Sequence, residues 1–279
     1  MLKVLLEKAL AAREKDFRDF ENLGSLRLFN GFYEGQPGLV ADLYGRTLVL
    51  FDYGKVGDKI HHAADFYRER LPNLKCGIIK SRSGGGSTQK KGILAFGDAP
   101  NEKIRENGVW YALDLQMQQD ASFYLDTRKL RTWLRENANE WTVLNTFAYT
   151  GSLGVAALAG GAAHAFQTDR NRKFLDLARR SAALNHFDLG KMKTQAGDFF
   201  SVVAGLKKQK RLFDCVILDP PFFSSTAKGT IDFVNESTRL INKVRPLIRD
   251  GGYLVAINNA LFLSGVEYMH SLEALCVDG

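Results

Sequence analysis

The string Leu218-Asp-Pro-Pro-Phe-Phe-Ser224 carries the most pointed chemistry in the sequence. Two successive prolines fix the backbone, so the Asp219 carboxylate and the Pro220 carbonyl are held as paired acceptors, and Phe222 or Phe223 can stack on a flat ring. Such a turn clamps a planar group that has hydrogens to donate, and the expected catalytic set is Asp219, Pro220, Pro221 and Phe222. A rigid turn that only ends a strand would use the same prolines. The segments upstream favour the clamp.

Three of those segments could hold a ligand. Asn145-Thr-Phe147-Ala-Tyr149-Thr150-Gly151-Ser-Leu-Gly154 reads as a tight strand-to-helix turn in which Gly151 permits close approach of the backbone to a ligand. Asp169, followed by Arg170, closes the next strand roughly 20 residues later, where a carboxylate can accept both hydroxyls of a ribose. Gly197-Asp198-Phe199 puts an acid and an aromatic where the amino group and ring face of an adenine would lie. Each has a plainer reading, the glycine as an ordinary turn and Asp198 as a helix N-cap. Their order at successive strand ends is the signal. It points to an adenosine ligand without phosphates, because no Lys/Ser pair that would grip a phosphate follows the glycine. S-adenosylmethionine (SAM) is such a ligand.

These positions require a particular scaffold. Strands are expected at 143–148, 164–169, 191–196, 213–219 and 252–257, with helices at 152–159, 171–185, about 199–206, 233–248 and 265–275. Strand-then-helix repeats of this kind call for an α/β fold, a doubly wound, mostly parallel sheet that binds ligands outside the carboxyl ends of its strands. The first part of the chain has a different texture. An amphipathic helix over 1–21 is followed by short strands at 25–29, 39–42, 47–53 and 77–80 and one helix at 61–71, a small α+β domain. The division is expected at 1–117 and 118–279.

Composition narrows the setting. No apolar run reaches the roughly 20 residues of a membrane span, and Lys3, Glu7 and Lys8 interrupt the N-terminal stretch. The chain is expected to be neither membrane-spanning nor exported, and to work in the cytoplasm. Its three cysteines, Cys76, Cys215 and Cys276, lack metal-ligand spacing, so no metal is expected. A net charge of +7 favours a polyanionic partner weakly. Basic residues gather at Lys80-Ser-Arg82, at Lys90-Lys91 beyond the Gly/Ser loop 83–89, and at Lys207-Lys208-Gln-Lys210-Arg211, either as solvated loops or as phosphate contacts.

Taken together, the 145–151 string, Asp169, Gly197-Asp-Phe-Phe200 and the Asp219 turn resemble the large-subunit ribosomal RNA methyltransferase I/K family, over about 26–257. The resemblance implies a class I SAM-dependent, Rossmann-like catalytic domain and a nucleobase of RNA, expected to be ribosomal, as substrate. Gln36-Pro-Gly-Leu-Val-Ala-Asp-Leu-Tyr-Gly45 is similar to the small domain that precedes catalysis in that family. Phe123-Tyr-Leu-Asp126-Thr-Arg128 resembles its helix-opening motif and implies that Asp126 and Arg128 help close the SAM pocket; capping plus a surface salt bridge is an equal reading. The full cofactor set is then Asp126, Arg128, Asn145, Phe147, Tyr149, Thr150, Gly151, Asp169, Arg170, Asp198 and Phe199.

Two departures from the family shape the expectation. Members that methylate cytosine carbon-5 use a cysteine nucleophile after the fifth strand or after the proline of the fourth-strand motif, whereas this chain has Asn258-Asn259-Ala260 and Pro221-Phe222. That resembles the branch acting on guanine nitrogen-7, and an exocyclic amine stays open. Many cytosine-modifying relatives also begin with an extra RNA-binding domain where this chain is expected to begin with a helix, so Lys80, Arg82, Lys90 and Lys91 are the expected phosphate contacts. The fold would ordinarily add a strand hairpin after residue 277, so a truncated chain is expected. Methylation of a protein side-chain amide, or a non-catalytic RNA-binding module with a vestigial pocket, are the competing readings. The oligomeric state, homodimer included, stays open.

Overall fold

The computed structural model describes residues 1–18, 23–54, 56–117, 120–221, 233–259 and 263–276, with the backbone alone at 17–18 and 233–235. They form two compact units, Met1–Lys129 and Leu130–Gly279.

In the first unit β1 (Ser25–Asn30), β2 (Leu39–Tyr44), β3 (Thr47–Asp52), β4 (Cys76–Ser81) and β5 (Ile93–Phe96) form one sheet in that order. All pairs are antiparallel except β3–β4, which the helix Lys59–Arg70 connects. Every residue of β2 is buried. The core joins Leu39, Ala41, Leu48 and Leu50 to Ile60, Ala63 and Tyr67 of that helix and to Leu6 and Ala9 of the helix Leu2–Ala12. The long helix expected over 1–21 is split at Arg13, whose guanidinium turns to the Arg27 carbonyl (2.7 Å) and the Glu34 carboxylate (2.7 and 3.0 Å). A hairpin of β6 (Lys103–Glu106) and β7 (Val109–Ala112), not anticipated, turns at Asn107 and Gly108 with φ of 50° and 81°. Two positive φ values are what a type I′ turn requires, and Asn-Gly is its usual pair.

The boundary falls after Lys129 and not after residue 117, because the intervening segment is bonded to the first unit. Tyr44 Oη donates to the Phe123 carbonyl (3.0 Å), and the Asp114 N–H donates to Ser122 Oγ (2.8 Å).

The second unit holds β8 (Thr142–Thr146), β9 (His164–Asp169), β10 (Met192–Ala196), β11 (Phe213–Leu218) and β12 (Ile248–Ala256) in the order β10-β9-β8-β11-β12. All four pairings are parallel. The chain steps outward from β8 to β10 and then returns to β11 on the other side of β8, which makes β8/β11 the switch point where such sheets bind ligands. Val143, Leu144, Cys215, Val216 and Ile217 are fully buried, as expected for strands covered on both faces. Helices Phe199–Lys208 and Phe233–Val244 cover one side through Val203, Leu206, Leu240 and Val244, packed on Phe213 and Val216. β12 begins earlier than the expected 252–257, through a register shift opposite Phe213/Cys215. Among the described residues no helix is long and apolar enough to cross a membrane.

Gly108→Ala should cost about 1 kcal/mol from backbone strain alone, since a Cβ there meets nothing within 4 Å. Gly108→Asn should cost less, and urea unfolding of the two variants distinguishes strain from a clash.

Candidate functional site

The parallel register brings five strand ends to one edge. Thr146 pairs with Thr168 and Leu218, Asp169 with Ala196, and Leu218 with Ala256. Thr146 Oγ1 donates to the Ile217 carbonyl (2.8 Å), locking β8 to β11 where they end.

The loop after β8 is wound tightly, with φ of 53° at Phe147, 50° at Tyr149 and 74° at Gly151. Left-handed backbone at two aromatic residues is unfavourable by roughly 1 kcal/mol each. Bonds to β9 hold it. The Ala148 N–H donates to the Thr168 carbonyl (2.8 Å) and the Tyr149 N–H to Asp169 Oδ2 (2.8 Å), while the Asn171 N–H takes Asp169 Oδ1 (2.9 Å). Burial raises the Asp169 pKa, and the backbone N–H groups of Asn171, Tyr149 and the exposed Arg170 oppose the rise. Three N–H groups do not exhaust the four lone pairs of the carboxylate, which keeps capacity for a further donor.

Gln167 was not anticipated. It is fully buried, accepts from Asn145 Nδ2 (2.8 Å) and donates to the Gly151 carbonyl (3.0 Å), so one amide joins β8, β9 and the turn. A long polar side chain directly after the apolar pair Ala165-Phe166 of β9 was the available signal. Asn145 Oδ1 is buried with no donor among the described residues. A Cβ on Gly151 would lie 2.4 Å from Ala178 Cβ and 2.8 Å from Gln167 Nε2, so its missing side chain admits the helix Arg172–Leu184 and Gln167 and lets the turn close. Thr150 beside it is buried.

Asp198 is exposed and caps the helix Phe199–Lys208, accepting from the N–H groups of Phe200 (3.0 Å) and Ser201 (3.4 Å) through Oδ1. Both contacts use one oxygen. Phe199 is buried and stacks on Phe147 at 4.8 Å and 18°, so one of its faces is already covered. At the fourth strand end Asp219 and Pro220 are half-buried and Pro221 exposed, whereas Phe222 lies outside the described residues. Asn259, just past β12, donates through Nδ2 to Asp219 Oδ1 (2.7 Å) and to the Pro220 carbonyl (3.0 Å). The two acceptors do converge on one donor.

Other expected positions belong to the first unit. Asp126 is exposed, and Arg128 bonds Glu106 (2.9 Å) and the Ser25 carbonyl. Lys80 is no phosphate contact. It is fully buried, with Nζ donating to the carbonyls of Leu115 (2.8 Å) and Asp120 (2.6 Å), and burial lowers its pKa to about 8. Arg82 pairs with Asp120. Lys90 is half-buried and Lys91 exposed.

With this geometry in place, comparison with known proteins gives a class. The family model for S-adenosylmethionine-dependent methyltransferases matches residues 96–271, and the chain belongs to that family. More particularly, it is 31% identical over 252 residues to ribosomal RNA large subunit methyltransferase I of Yersinia pseudotuberculosis, an alignment covering 85% of this chain and 61% of that protein. The chain thus spans about 61% of the length of the curated relatives it matches. A protein described as a methyltransferase and solved with SAH superposes with a TM-score of 0.86 at 24% identity, covering 97% of this chain and 70% of that one. The M. jannaschii tRNA m1G37 methyltransferase gives 0.63 at 16%, covering 99% and 71%.

The residues at the strand ends fit the family's donor. Asp169 keeps acceptor capacity for a hydroxyl, Asp198 has an oxygen outside its cap, and Asn145 contributes a buried acceptor without a partner.

Gln167→Leu should lower stability by about 2–3 kcal/mol, because it strands Asn145 Nδ2 and the Gly151 carbonyl, and should weaken SAM binding. Urea unfolding and calorimetry with SAM check the two effects. For Lys80 the sign follows from its lowered pKa. Between about pH 8 and 10.5 the unfolded chain binds more protons than the native one, so stability rises with pH in that window, by at most about 3 kcal/mol. Lys80→Met should abolish that rise in pH-dependent unfolding.

Proposed function

We propose that the chain transfers a methyl group from SAM to a nucleobase of RNA, with ribosomal RNA as the substrate and a guanine nitrogen as the acceptor in preference to cytosine carbon-5. The observation that carries this reading is the pair of acceptors at Asp219 and Pro220, held together by Asn259 at the switch point of the sheet. It is supported by the likeness to the Yersinia ribosomal RNA enzyme.

When bound, SAM would supply an electrophilic methyl on a sulfonium. Asp169 would accept the ribose hydroxyls, Asp198 the adenine amine, and the Tyr149–Gly151 turn would take the methionine part. Asp219 and the Pro220 carbonyl would accept hydrogens of the base, with Phe222 stacking on it. A ring nitrogen already has a lone pair, so holding it in line suffices and no covalent intermediate is needed. Cytosine carbon-5 chemistry needs a thiolate. Cys215 lies fully buried in β11, where burial pushes its thiol up to about 12. Cys76 is buried in the first unit, and Cys276 follows the helix Gly265–Ala274.

Asp219→Ala should abolish methylation while leaving SAM affinity unchanged. Incubation with labelled SAM and RNA from cells lacking the protein, followed by nucleoside mass spectrometry, measures the first and names the base atom; calorimetry measures the second. Retained turnover in the variant would refute the clamp.

A further inference from the structure

The first unit has a strand-end surface of its own, and it is aromatic. β1, β3 and β4 point the same way, so the turn Gly31–Glu34 after β1, Tyr53 after β3 and Arg82 after β4 emerge on one edge. Backbone bonds tie them in place, from the Tyr53 N–H to the Gly38 carbonyl (2.8 Å) and from the Arg82 N–H to the Asp52 carbonyl (2.7 Å). The turn is rigid too. A Cβ on Gly31 would lie 2.0 Å from the Gln36 carbonyl oxygen, so the chain closes on itself as tightly as a backbone can.

On this edge Tyr33 is 88% exposed, Phe32 54% and Tyr53 41%. Phe32 and Tyr53 meet edge to face at 5.4 Å, and the Arg82 guanidinium lies 5.5 Å from the Tyr53 ring. Positive charge accompanies the rings. Lys59 Nζ reaches Gln36 Oε1 (3.2 Å), an uncharged partner that leaves its charge uncancelled. Of the nearby carboxylates, Glu34 is paired with Arg13 and Asp120 with Arg82, while Asp52 accepts from the Gly54 N–H and Asp58, next to Lys59 in the chain, is exposed.

Exposing two large rings in contact, with a third on the same turn as Phe32, is costly in water and marks a binding face. Rings beside cations suit unstacked nucleobases, since every base offers a π-face and every linkage a negative charge. We propose that Phe32, Tyr33 and Tyr53, with Arg82 and Lys59, form a platform on which unpaired bases of single-stranded RNA stack. This rests on the RNA reading above and adds a contact remote in sequence from the methylation residues. It also replaces Lys80, which is buried, as the RNA contact of this unit.

The test uses the full chain and fluorescence anisotropy with a labelled oligouridine of about twelve nucleotides, beside a duplex RNA of the same length. Phe32→Ala/Tyr33→Ala should weaken single-strand binding about tenfold or more and leave its salt slope unchanged, with duplex binding altered less than about twofold. Tyr33→Trp should bind at least as well as the parent and Tyr33→Leu as poorly as Tyr33→Ala, while Lys59→Gln should lower the salt slope by about one. An unchanged unfolding midpoint shows that each variant is folded, as the exposure of Tyr33 leads one to expect. If the parent binds neither RNA at low salt, the RNA reading fails and the platform with it. If the parent binds but the alanine variants bind equally well, the platform alone falls. Leucine matching tyrosine would replace base stacking with a merely apolar contact, and so overturn it.

Discussion

A single carboxylate holds the strand-end edge of the second unit in shape. Asp169 receives one backbone N–H from the loop after β8 and another from the start of the next helix, so two connections that would otherwise move independently are fixed to one point. Without it, the left-handed backbone at Phe147 and Tyr149 would have little reason to persist, because each residue relaxes on returning to ordinary φ. Gln167 performs the parallel task one layer deeper, joining Asn145 to Gly151. The strand ends are thus organised before any ligand arrives, which reduces the ordering cost of binding.

The first unit is organised around a cation instead. Lys80 fastens residues 115 and 120 from inside, and Arg82 holds the Asp120 side chain from the partly exposed side. Two basic residues thereby anchor one connecting segment, one through its backbone and one through a side chain. An ammonium sealed in this way is useful only if its carbonyl partners stay in place.

Much of this was legible in the sequence, for reasons that differ by residue. Parallel strands buried on both faces produce short apolar runs ending in polar residues, so Asp169, Asp198 and Asp219 announced themselves by position. Lys80 was misread because the basic string beside a Gly/Ser loop looked solvated, although alternation along β4 puts it on the face of the buried Cys76 and Ile78. The Asn107-Gly108 turn carried a strong signal that was passed over. The direction in which Gly151 lacks room was beyond any reading of the chain, since it depends on Ala178 and Gln167 from other elements. Asn259 was visible only as a departure from a cysteine, and its bonds to Asp219 and Pro220 depend on how β12 lies beside β11.

That last arrangement bears on selectivity. Under the proposed clamp one amide already engages both acceptors of the Asp-Pro turn, so a ring that displaces it would trade hydrogen bonds rather than add them, and the net gain would be small even for a correct partner. A ring with no hydrogens to offer would evict the amide and leave two polar atoms desolvated and unmatched, a loss far larger than the gain it forgoes. Discrimination of this sort works by exclusion, and it lets an enzyme reject the wrong ring without gripping the right one tightly.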